Sequence, residues 1–594
     1  MPSSRSSSGS ICGGLDRGGR MPMEERRDEG RAADHIDVIV SRRRARITSH
    51  GGCDRIHVKR VVRALLKQAR ACPRCCLRLV GCPADRLAQP ISAADLERWC
   101  SDGDADAAIV AVDPRDDPVC SLCFGLLQLD SEVSVPELNL VVERQTKKKK
   151  SLGEREMRFG GYQSLGTGVT SAMVDEGFFV EGANFTLHVH LPLAVALREI
   201  SCVHWLEHTF GTDGLSFNHV AQTDYYGVKR ALKALVSGTM AAALNSRPVK
   251  EEEAGAFEFE FHMQAPELSS REAEAHALLS ERARGDGKSR KRKRGGLKQE
   301  FGERCPQIVA KAAAALGPRD FKEAFPIDPQ ASEWRVAAPG SALVRYSRYP
   351  VYVCGRYLKF SRELSQTAWV VDQERIGESS VEEVIVAALG EDARADEWKM
   401  VAAGREDLDV RMLGTGRPFV VEARNCVRGR VPLRDALEPE RLGAILAGRV
   451  GLRDVHATTK KALDILREGA EEKEKTYDAL VWLSRPFTDA DVDKIGRTRD
   501  LVTRQNTPLR VVHRRTAMVR ERTIFEMKLR RCEGRGPHFA MLELRTQAGT
   551  YIKEFVHGDM GRTSPSVASL LGCDADILEL DVMGVEMDFK PPVC

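Results

Sequence analysis

The sequence contains no run of about 18 apolar residues, which is the length that a helix needs to cross a bilayer. It also has no apolar signal core near its N-terminus, so we expect neither a membrane protein nor a secreted one. Net charge is small as well, because 90 Lys and Arg face 86 Asp and Glu, which leaves +4. The average charge therefore does not indicate a partner, and no internal repeat is present to indicate a solenoid.

The chain is long for a single hydrophobic core. At roughly 150 residues per domain, its 594 residues predict about three or four domains. Hydrophobic residues make up 42% and charged residues 30%, which is typical of globular domains. Residues 1–35 are rich in Ser, Gly and Arg, and we predict that they form a disordered tail.

Basic residues are concentrated in three short runs: "RRRAR" at 42–46, "KKKK" at 147–150 and "KSRKRKR" at 288–294. Such runs are found in exposed linkers, in nucleic-acid contacts and in nuclear signals, and charge alone does not choose between these roles. We expect the protein in the nucleus, the cytoplasm or both, and we expect the run at 288–294 to lie in an exposed loop, 280–300.

Cysteines are plentiful, with 16 in the chain, and two CxxC pairs stand out: Cys72 with Cys75, and Cys120 with Cys123. Without a secretory signal, such thiols are typical of a reducing compartment, where they bind metal or lie in cores. Four thiolates complete the tetrahedral shell of a structural zinc ion, so we predict one zinc site. The gap between the pairs is longer than in a common zinc ribbon, and three other cysteines compete as ligands: Cys76, Cys82 and Cys100.

The pattern along the chain is that of an α+β protein built around mixed, largely antiparallel β-sheet. Alternating stretches such as "FTLHVHL" and "FEFEFHM" predict strands, whereas "HVKRVVRALLKQA" and "VEEVIVAAL" predict helices. Changes in composition divide the chain into a cysteine-rich module (36–145), a linker (146–177), an α/β domain (178–335) and an α+β domain (336–594).

The stretch "GREDLDVRMLGTGRPF", residues 404–419, permits two interpretations. Gly414 and Gly416 could belong to a phosphate-binding loop, but the residues after them predict a strand, and a helix to hold phosphate is missing. The chain also has no Walker sequence. Alternatively, a tight turn presents acidic residues at the start of a strand over Leu408–Met412, which would place Asp407 and Asp409 on one face. A solvated charged turn would have the same composition.

This stretch resembles the catalytic-aspartate motif of the pseudouridine synthases, specifically the archaeal and eukaryotic tRNA pseudouridine synthase Pus10 family. Three further motifs follow the family order: "CGRYLKFSRELSQTAWVVD" (354–372), "EEKEKTYDALVW" (471–482) and "TQAGTYIKEFVHGDMGRTSPS" (546–566). One departure is Ala368, where the family usually has proline. The cysteine pairs and the α/β segment also resemble the accessory region of that family, so the resemblance implies a zinc module at 36–145, a THUMP-like RNA-binding domain at 178–335 and the synthase domain at 336–594.

The resemblance implies a role for each matching residue. Asp407 corresponds to the catalytic aspartate, because the family register GR-x-D selects it over Asp409. Tyr477 resembles the tyrosine that stacks on the target base, and Tyr551 resembles a second substrate-contacting tyrosine. Lys553 resembles the basic residue that pairs with the aspartate, although Arg405 and Arg411 could serve instead. We therefore predict Asp407 and Lys553 as catalytic, and Tyr477, Tyr551 and Arg405 as substrate-binding. Basic and aromatic residues around Tyr357, Phe360 and Trp369 suit RNA contact.

The implied function is isomerisation of uridine to pseudouridine in the T-loop of tRNA, at positions 54 and 55. The family reaction needs no catalytic cofactor, so zinc is expected to be structural only. We expect tRNA as the partner, no membrane association and a monomer. A non-catalytic RNA-binding protein that keeps the synthase fold is the main alternative, and a THUMP-bearing methyltransferase would need a cofactor loop that the chain lacks.

Overall fold

The structure is a computed structural model of the chain. It describes residues 36, 55–82, 87, 91–101, 119–128, 138–145, 155–159, 161–211, 217, 227–285, 306–371, 373–390, 393–472, 474–512 and 515–593. The predicted tail, 1–35, and the three basic runs lie outside the described residues, as does most of the loop 280–300, so those expectations stay predictions. None of the described helices is both long and apolar enough to cross a membrane.

A five-stranded mixed sheet forms the N-terminal half of the described structure. Its strands run in the order β2-β1-β5-β4-β3, with β1–β5 and β3–β4 parallel and the other pairs antiparallel. The strands are β1 (Leu138–Arg144), β2 (Arg155–Phe159), β3 (Phe185–His190), β4 (Phe257–Gln264) and β5 (Ser341–Arg348).

Side-chain alternation explains the central strands of this sheet. On β4, Phe257, Phe259 and Phe261 are buried while the residues between them face outward. The same period of two buries Phe185 and Val189 on β3, so the strands predicted from "FTLHVHL" and "FEFEFHM" are confirmed.

Helices and the cysteine-rich segment share one hydrophobic core with this sheet. The helix predicted from "HVKRVVRALLKQA" is confirmed as α1, which buries Val61, Val62 and Leu65. The helices of this half are α1 (Arg55–Lys67), α2 (Pro73–Leu79), α3 (Ala93–Ser101), α4 (Tyr162–Asp175), α5 (Leu193–Phe210), α6 (Val228–Leu244), α7 (Ser270–Gly285), α8 (Pro306–Ala314) and α9 (Pro318–Ala324).

The segment 146–177 carries β2 and α4 rather than irregular structure throughout. Glycines hid the helix from the sequence, because Gly166 and Gly168 are poor helix formers. They are needed for close packing: a Cβ on Gly166 would lie 2.7 Å from the Thr239 side chain on α6. The sheet also takes β1 from residues 36–145 and β5 from residues 336–594, so the predicted boundaries, which stay predictions, divide one sheet.

The C-terminal half is built on a ten-stranded sheet that is antiparallel except for the pair β10–β17. Its order is β11-β6-β10-β17-β12-β15-β14-β13-β16, with β9 also paired to β10. A separate hairpin joins β7 (Trp369–Val371) to β8 (Glu374–Ile376). The strands of the large sheet are β6 (Val351–Lys359), β9 (Glu397–Ala402), β10 (Arg411–Arg424), β11 (Val450–Thr458), β12 (Lys475–Leu483), β13 (Arg499–Asn506), β14 (Val519–Arg531), β15 (Phe539–Thr546), β16 (Thr563–Ser564) and β17 (Ala575–Val585).

Short helices cover this sheet around a second core. The helix predicted from "VEEVIVAAL" is confirmed as α10, which buries Val381, Ile385 and Leu389. The predicted α+β class with mixed, largely antiparallel sheet is therefore confirmed. The helices are α10 (Val381–Gly390), α11 (Leu433–Ala436), α12 (Pro439–Leu446), α13 (Lys461–Glu472), α14 (Asp489–Arg497), α15 (Ile552–His557) and α16 (Val567–Leu571).

A tight backbone contact joins the two halves. The Phe179 N–H donates to the Val427 carbonyl at 2.9 Å. Beside it, a Cβ on Gly255 would lie only 2.1 Å from the Gly429 carbonyl oxygen. The buried Arg348 side chain donates to the Val427 carbonyl at 3.1 Å, so the five-stranded sheet is attached directly to the loop after β10.

Candidate active site

The acidic stretch 404–410 forms a turn between β9 and β10. The Val410 N–H donates to the Asp407 carbonyl at 3.1 Å, and β10 begins only at Arg411. The prediction that a strand covers Leu408–Met412, with Asp407 and Asp409 on one face, is therefore wrong. Gly404 permits the turn with a φ of +91°, a conformation that residues with a Cβ rarely adopt.

A buried lysine fixes this turn from below. Lys359, at the end of β6, is fully buried and donates to the carbonyls of Leu364, Asp407 and Leu408 at 2.8, 3.1 and 2.8 Å. In a strand, the carbonyls of Asp407 and Leu408 would bind the N–H groups of a neighbouring strand. Here they bind Lys359 instead, which explains why the alternating apolar residues do not form a strand at this point. Burial lowers the pKa of Lys359 to about 8.

Glu406 anchors the turn through a buried polar network. Its carboxylate accepts from the Tyr357 hydroxyl at 2.9 and 3.0 Å and forms an ion pair with Arg417 Nε at 2.9 Å. Gln366 donates both to the Tyr357 hydroxyl, at 2.8 Å, and to the Gly404 carbonyl, at 2.9 Å. Because the side chains of Glu406 and Arg417 are almost completely buried, the network holds the turn rigidly in one position.

The neighbouring carboxylate, that of Asp407, is held by an arginine from a distant part of the chain. Arg510 Nη1 donates to Asp407 Oδ2 at 2.6 Å, and Arg510 Nε donates to Glu554 Oε1 at 2.7 Å. The Glu554 side chain is 3% exposed, so its carboxylate fixes the guanidinium between the two acids. Such charge-assisted bonds are stronger than neutral ones and aim the Asp407 carboxylate.

Lys553 lies beside the same carboxylate but has a closer partner. Its Nζ is 4.0 Å from Asp407 Oδ2, whereas it donates to the two Asp409 oxygens at 2.9 and 2.7 Å. Arg411, the other alternative from the sequence, is bound by Asp581 and does not contact Asp407. Arg510 is therefore the cation that binds Asp407 directly among the described residues.

A cleft of about 870 Å³ opens above Asp407. Tyr477, on β12, is buried and lines the cleft, and burial raises the pKa of its hydroxyl to about 12. Tyr551 is half-buried and also lines the cleft, and the Gln505 side chain binds both its N–H and its carbonyl at 2.9 Å. Arg405 lies exposed at the rim. The structure thus brings together all five site residues that the sequence proposed around the cleft: Asp407, Lys553, Tyr477, Tyr551 and Arg405.

Two aromatic residues of the motif 354–372 are placed to meet a ligand, and one is not. Phe360 and Trp369 are 44% and 39% exposed. Tyr357, in contrast, is fully buried with its hydroxyl bound to Glu406, so it cannot serve as a stacking surface for RNA. The sequence could not separate these roles, because all three residues have the same local basic surroundings.

Arg510, Glu554, Glu406 and Lys475 are cleft or network residues that the sequence did not single out. Arg510 lies 103 residues from its partner Asp407, and no local pattern marks it. A basic cluster was visible in "RVVHRR", which includes Arg510 and Arg515, but a cluster alone is more often solvated surface.

The two CxxC pairs come together as predicted. The sulfurs of Cys72, Cys75, Cys120 and Cys123 all lie within 4.8 Å of one another, and all four residues are buried. The Cys72 and Cys123 sulfurs are 3.9 Å apart, close to the roughly 3.8 Å of a tetrahedral site with Zn–S bonds of about 2.3 Å. This buried four-cysteine group could hold a metal ion.

Two further observations support a metal site at the four-cysteine group: backbone N–H groups donate to its sulfurs, and the three competing cysteines lie outside it. The Cys72 N–H donates to Cys120 Sγ at 3.1 Å, and the Leu127 N–H donates to Cys123 Sγ at 3.4 Å. Such donors stabilise thiolates around a metal. The competing thiols are buried but belong to no metal-binding group among the described residues: Cys76, Cys82 and Cys100.

Comparison with known proteins finds relatives of this chain in one family. A family model described as "Pus10, C-terminal" matches residues 352–586. A Mus musculus protein named tRNA pseudouridine synthase Pus10 is 42% identical over 283 residues, which cover 48% of this chain and 53% of the relative. A Xenopus laevis protein of the same name is 34% identical over 413 residues, which cover 69% of this chain and 75% of the relative.

The match extends to archaea and, weakly, to solved structures. A Thermofilum pendens protein of the same name is 39% identical over 239 residues, 40% of this chain and 53% of the relative. A crystal structure of a Cbf5-Nop10-Gar1 complex is similar at a TM-score of 0.23 and 16% identity, covering 39% of this chain and 48% of that one. The chain spans about half the length of the mouse and human relatives that it matches, and three quarters of the Xenopus one. Because the Xenopus relative is 34% identical and the match covers 75% of its length, the chain belongs to the tRNA pseudouridine synthase Pus10 family.

Proposed function

We propose that the chain is an isomerase that converts uridine to pseudouridine in the T-loop of tRNA, at positions 54 and 55. The observation that carries this proposal is the Asp407 carboxylate. It lies in a cleft, it is fixed by Arg510 at 2.6 Å, and it shares that cleft with the buried ring of Tyr477. Relatives of this chain are named tRNA pseudouridine synthases, which supports the reaction and the substrate class.

A fixed carboxylate suits the chemistry of this isomerisation. The reaction breaks the C1′–N1 bond of uridine and joins C1′ to C5 of the same base, while C5 loses its proton and N1 gains one from solvent. The product is therefore an isomer of the substrate, and no oxidant is needed. A carboxylate can act in two ways, as a nucleophile at the sugar or base, or as a base that removes a sugar proton. The hydrogen bond from Arg510 aims the carboxylate in either case.

The cleft also suits a base that has left the RNA stack. Chemistry at a glycosidic bond inside folded RNA requires the nucleotide to be extruded, and an aromatic ring then supplies a stacking surface. Tyr477 and Tyr551 both line the cleft, which supports a role for either ring in that contact. Arg515, Arg520 and Arg522 line its outer part and are suited to bind phosphates of the tRNA backbone.

The decisive experiment compares the wild type with Asp407→Asn on an unmodified tRNA transcript. Pseudouridine is then mapped at every uridine. We expect the wild type to modify one or both T-loop positions and Asp407→Asn to modify neither. If the wild type binds the transcript but forms no pseudouridine, the chain is a non-catalytic RNA-binding protein instead. If Asp407→Asn is as active as the wild type, the role given to Asp407 is wrong.

We also propose that the four-cysteine group binds one structural zinc ion. Four thiolates fill a tetrahedral shell, so no position is open for catalysis and the ion would stabilise the fold. The main chain around it is tied to the rest of the N-terminal half, because the buried Arg198 donates to the Ser121 carbonyl between Cys120 and Cys123 at 2.7 Å. We also propose that residues 178–335 form the THUMP-like RNA-binding domain and help to hold tRNA.

A further inference from the structure

Lys475 places a half-buried amine in the cleft beside the loop of Asp407. It is the first residue of β12, where its backbone is fixed between Thr546 on β15 and Val585 on β17. Its side chain lines the cleft together with those of Asp407 and Tyr477. The strand, not a mobile loop, therefore sets its position.

The amine lies close to Gly404 and to a second cation. A Cβ on Gly404 would lie 3.2 Å from Lys475 Nζ and 2.9 Å from Arg417 Nη1. The carboxylate nearest to these cations is that of Glu406, which already binds both Arg417 and the Tyr357 hydroxyl. Consequently, the Lys475 amine has no hydrogen-bond acceptor or ion-pair partner among the described residues.

An ammonium in such a position lacks the oxygen acceptor that buried charges normally have. Burial, and to a smaller extent the charge of Arg417, lower the pKa of Lys475 to about 8. The charged form therefore has the electrostatic attraction of Glu406 but no oxygen acceptor in direct contact among the described residues. An oxygen atom of the substrate would supply the missing acceptor.

We propose that Lys475 is a catalytic residue that donates a hydrogen bond to a carbonyl oxygen of the target uracil and stabilises the negative charge that develops there. The inference rests on the proposed isomerase function. When the C1′–N1 bond breaks, its electron pair stays on the base and spreads over N1 and the two carbonyl oxygens. The lysine keeps its proton, so its effect is electrostatic.

The position of Lys475 favours a base carbonyl over a phosphate. Lys475 and Tyr477 are two residues apart on one strand, which separates their Cα atoms by about 6.6 Å. A uracil stacked on the tyrosine ring would therefore bring an edge within reach of the amine. Phosphates have other cations available in the outer part of the cleft, at Arg515, Arg520 and Arg522.

The test compares Lys475→Met and Lys475→Arg with the wild type, using an unmodified tRNA transcript tritiated at C5 of uracil. Tritium is released when C5 joins C1′, so its release under single turnover reports the reaction. We expect Lys475→Met to slow the reaction roughly 100-fold. Binding of tRNA should stay within about threefold, because a phosphate contact is not lost. Lys494→Met, on the exposed face of α14, is the matched control and should match the wild type.

The pH dependence of kcat/KM supplies a second readout. The charged groups that face Lys475 are Arg417 on β10 and Glu406 in the turn, with Asp407 and Arg510 also in the cleft. The wild-type value should fall as pH rises through about 8, because the amine then loses its proton. Lys475→Arg should retain most of the rate and lose this fall. Lys359 has a similar pKa, so only disappearance of the fall in Lys475→Arg assigns it to Lys475.

Three results would overturn the inference. One is a Lys475→Met variant that reacts as fast as the wild type. The second is a variant that reacts normally once bound but binds tRNA weakly with a smaller salt dependence, which would make the acceptor a phosphate. The third is a Lys475→Arg variant that keeps the fall near pH 8. A wild type that forms no pseudouridine would instead refute the proposed function itself.

Discussion

Arg510 binds the Asp407 carboxylate at 2.6 Å, whereas Lys553, which the sequence motif indicates as its partner, lies 4.0 Å away. The guanidinium also donates to the buried Glu554 at 2.7 Å, so it bridges the turn at 404–410 and α15. A planar guanidinium suits this bridge, because its N–H groups point along fixed directions to both acids. Arg510 is thus a positioning residue for Asp407.

The first prediction concerns this bridge. We expect Arg510→Ala to lower the single-turnover rate roughly 100-fold, because Asp407 loses the donor that aims it. Added guanidinium, below concentrations that unfold the protein, should restore part of the rate, because Arg510 is 37% exposed and leaves an accessible gap. A merely structural arginine would not be rescued in this way. An Arg510→Ala variant with wild-type rate would contradict the assignment.

The second prediction separates the two aspartates of the turn. Asp409→Asn should change the rate by no more than about fivefold. The Asp409 side chain is 60% exposed, and an exposed ion pair such as the one it forms with Lys553 contributes little. Asp407→Asn should abolish pseudouridine formation. A large loss of activity in Asp409→Asn, with normal tRNA binding, would show that Lys553 acts through Asp409.

Much of the fold could be predicted because its signals are local. The strands β4 and β15 alternate buried and outward residues throughout, and β3 and β12 do so over part of their length, so this period is visible in the local sequence. The helix α4 could not be predicted in this way. Its glycines oppose helix formation, but they allow close packing, because α6 lies against Gly166 and Met157 on β2 lies against Gly168.

The residues of the candidate site also divide into those with a local sequence signal and those without one. Asp407, Tyr477, Tyr551 and Lys553 lie in motifs that the sequence displays, and the cleft brings them together. Arg510 lies in no such motif, since its role depends on a contact that spans 103 residues to Asp407. Glu554 lies within the motif 546–566, but its role depends on its contact with Arg510. The sequence predicts a strand over Leu408–Met412, where apolar residues alternate, but β10 begins only at Arg411 because Lys359 binds the carbonyls of Asp407 and Leu408.

The third prediction concerns the buried network below the turn. Glu406→Gln should destabilise the local structure by about 3–5 kcal/mol, because it leaves the buried Arg417 charge without a partner. Tyr357→Phe should cost only about 1–3 kcal/mol, because it removes a neutral donor. Amide hydrogen exchange of β6 and β10 measures both free energies. Equal effects of the two variants would mean that the Arg417 charge does not depend on Glu406.

The fourth prediction concerns the four-cysteine group. The purified chain should contain one zinc ion, measured by elemental analysis, and Cys72→Ser or Cys120→Ser should lose it, because a hydroxyl does not replace a thiolate ligand. Cys532→Ser is the control, since Cys532 is half-buried and outside the group. Removal of the ion by a chelator should unfold the cysteine-rich segment, because metal binding supplies folding free energy. A wild type without bound metal would refute the zinc proposal.

The fifth prediction tests the contact between the two halves. Gly255 has a φ of +77°, and a Cβ there would lie 2.1 Å from the Gly429 carbonyl oxygen, so Gly255→Ala must push the two backbones apart. Gly182 has a similar φ, +71°, but open space around its Cβ position. Gly182→Ala therefore measures the conformational cost alone, about 1–2 kcal/mol. We expect Gly255→Ala to lower the thermal midpoint further than Gly182→Ala and to expose the loop at 425–430 to proteases. Equal midpoints for the two variants would show that the close contact does not hold the halves together.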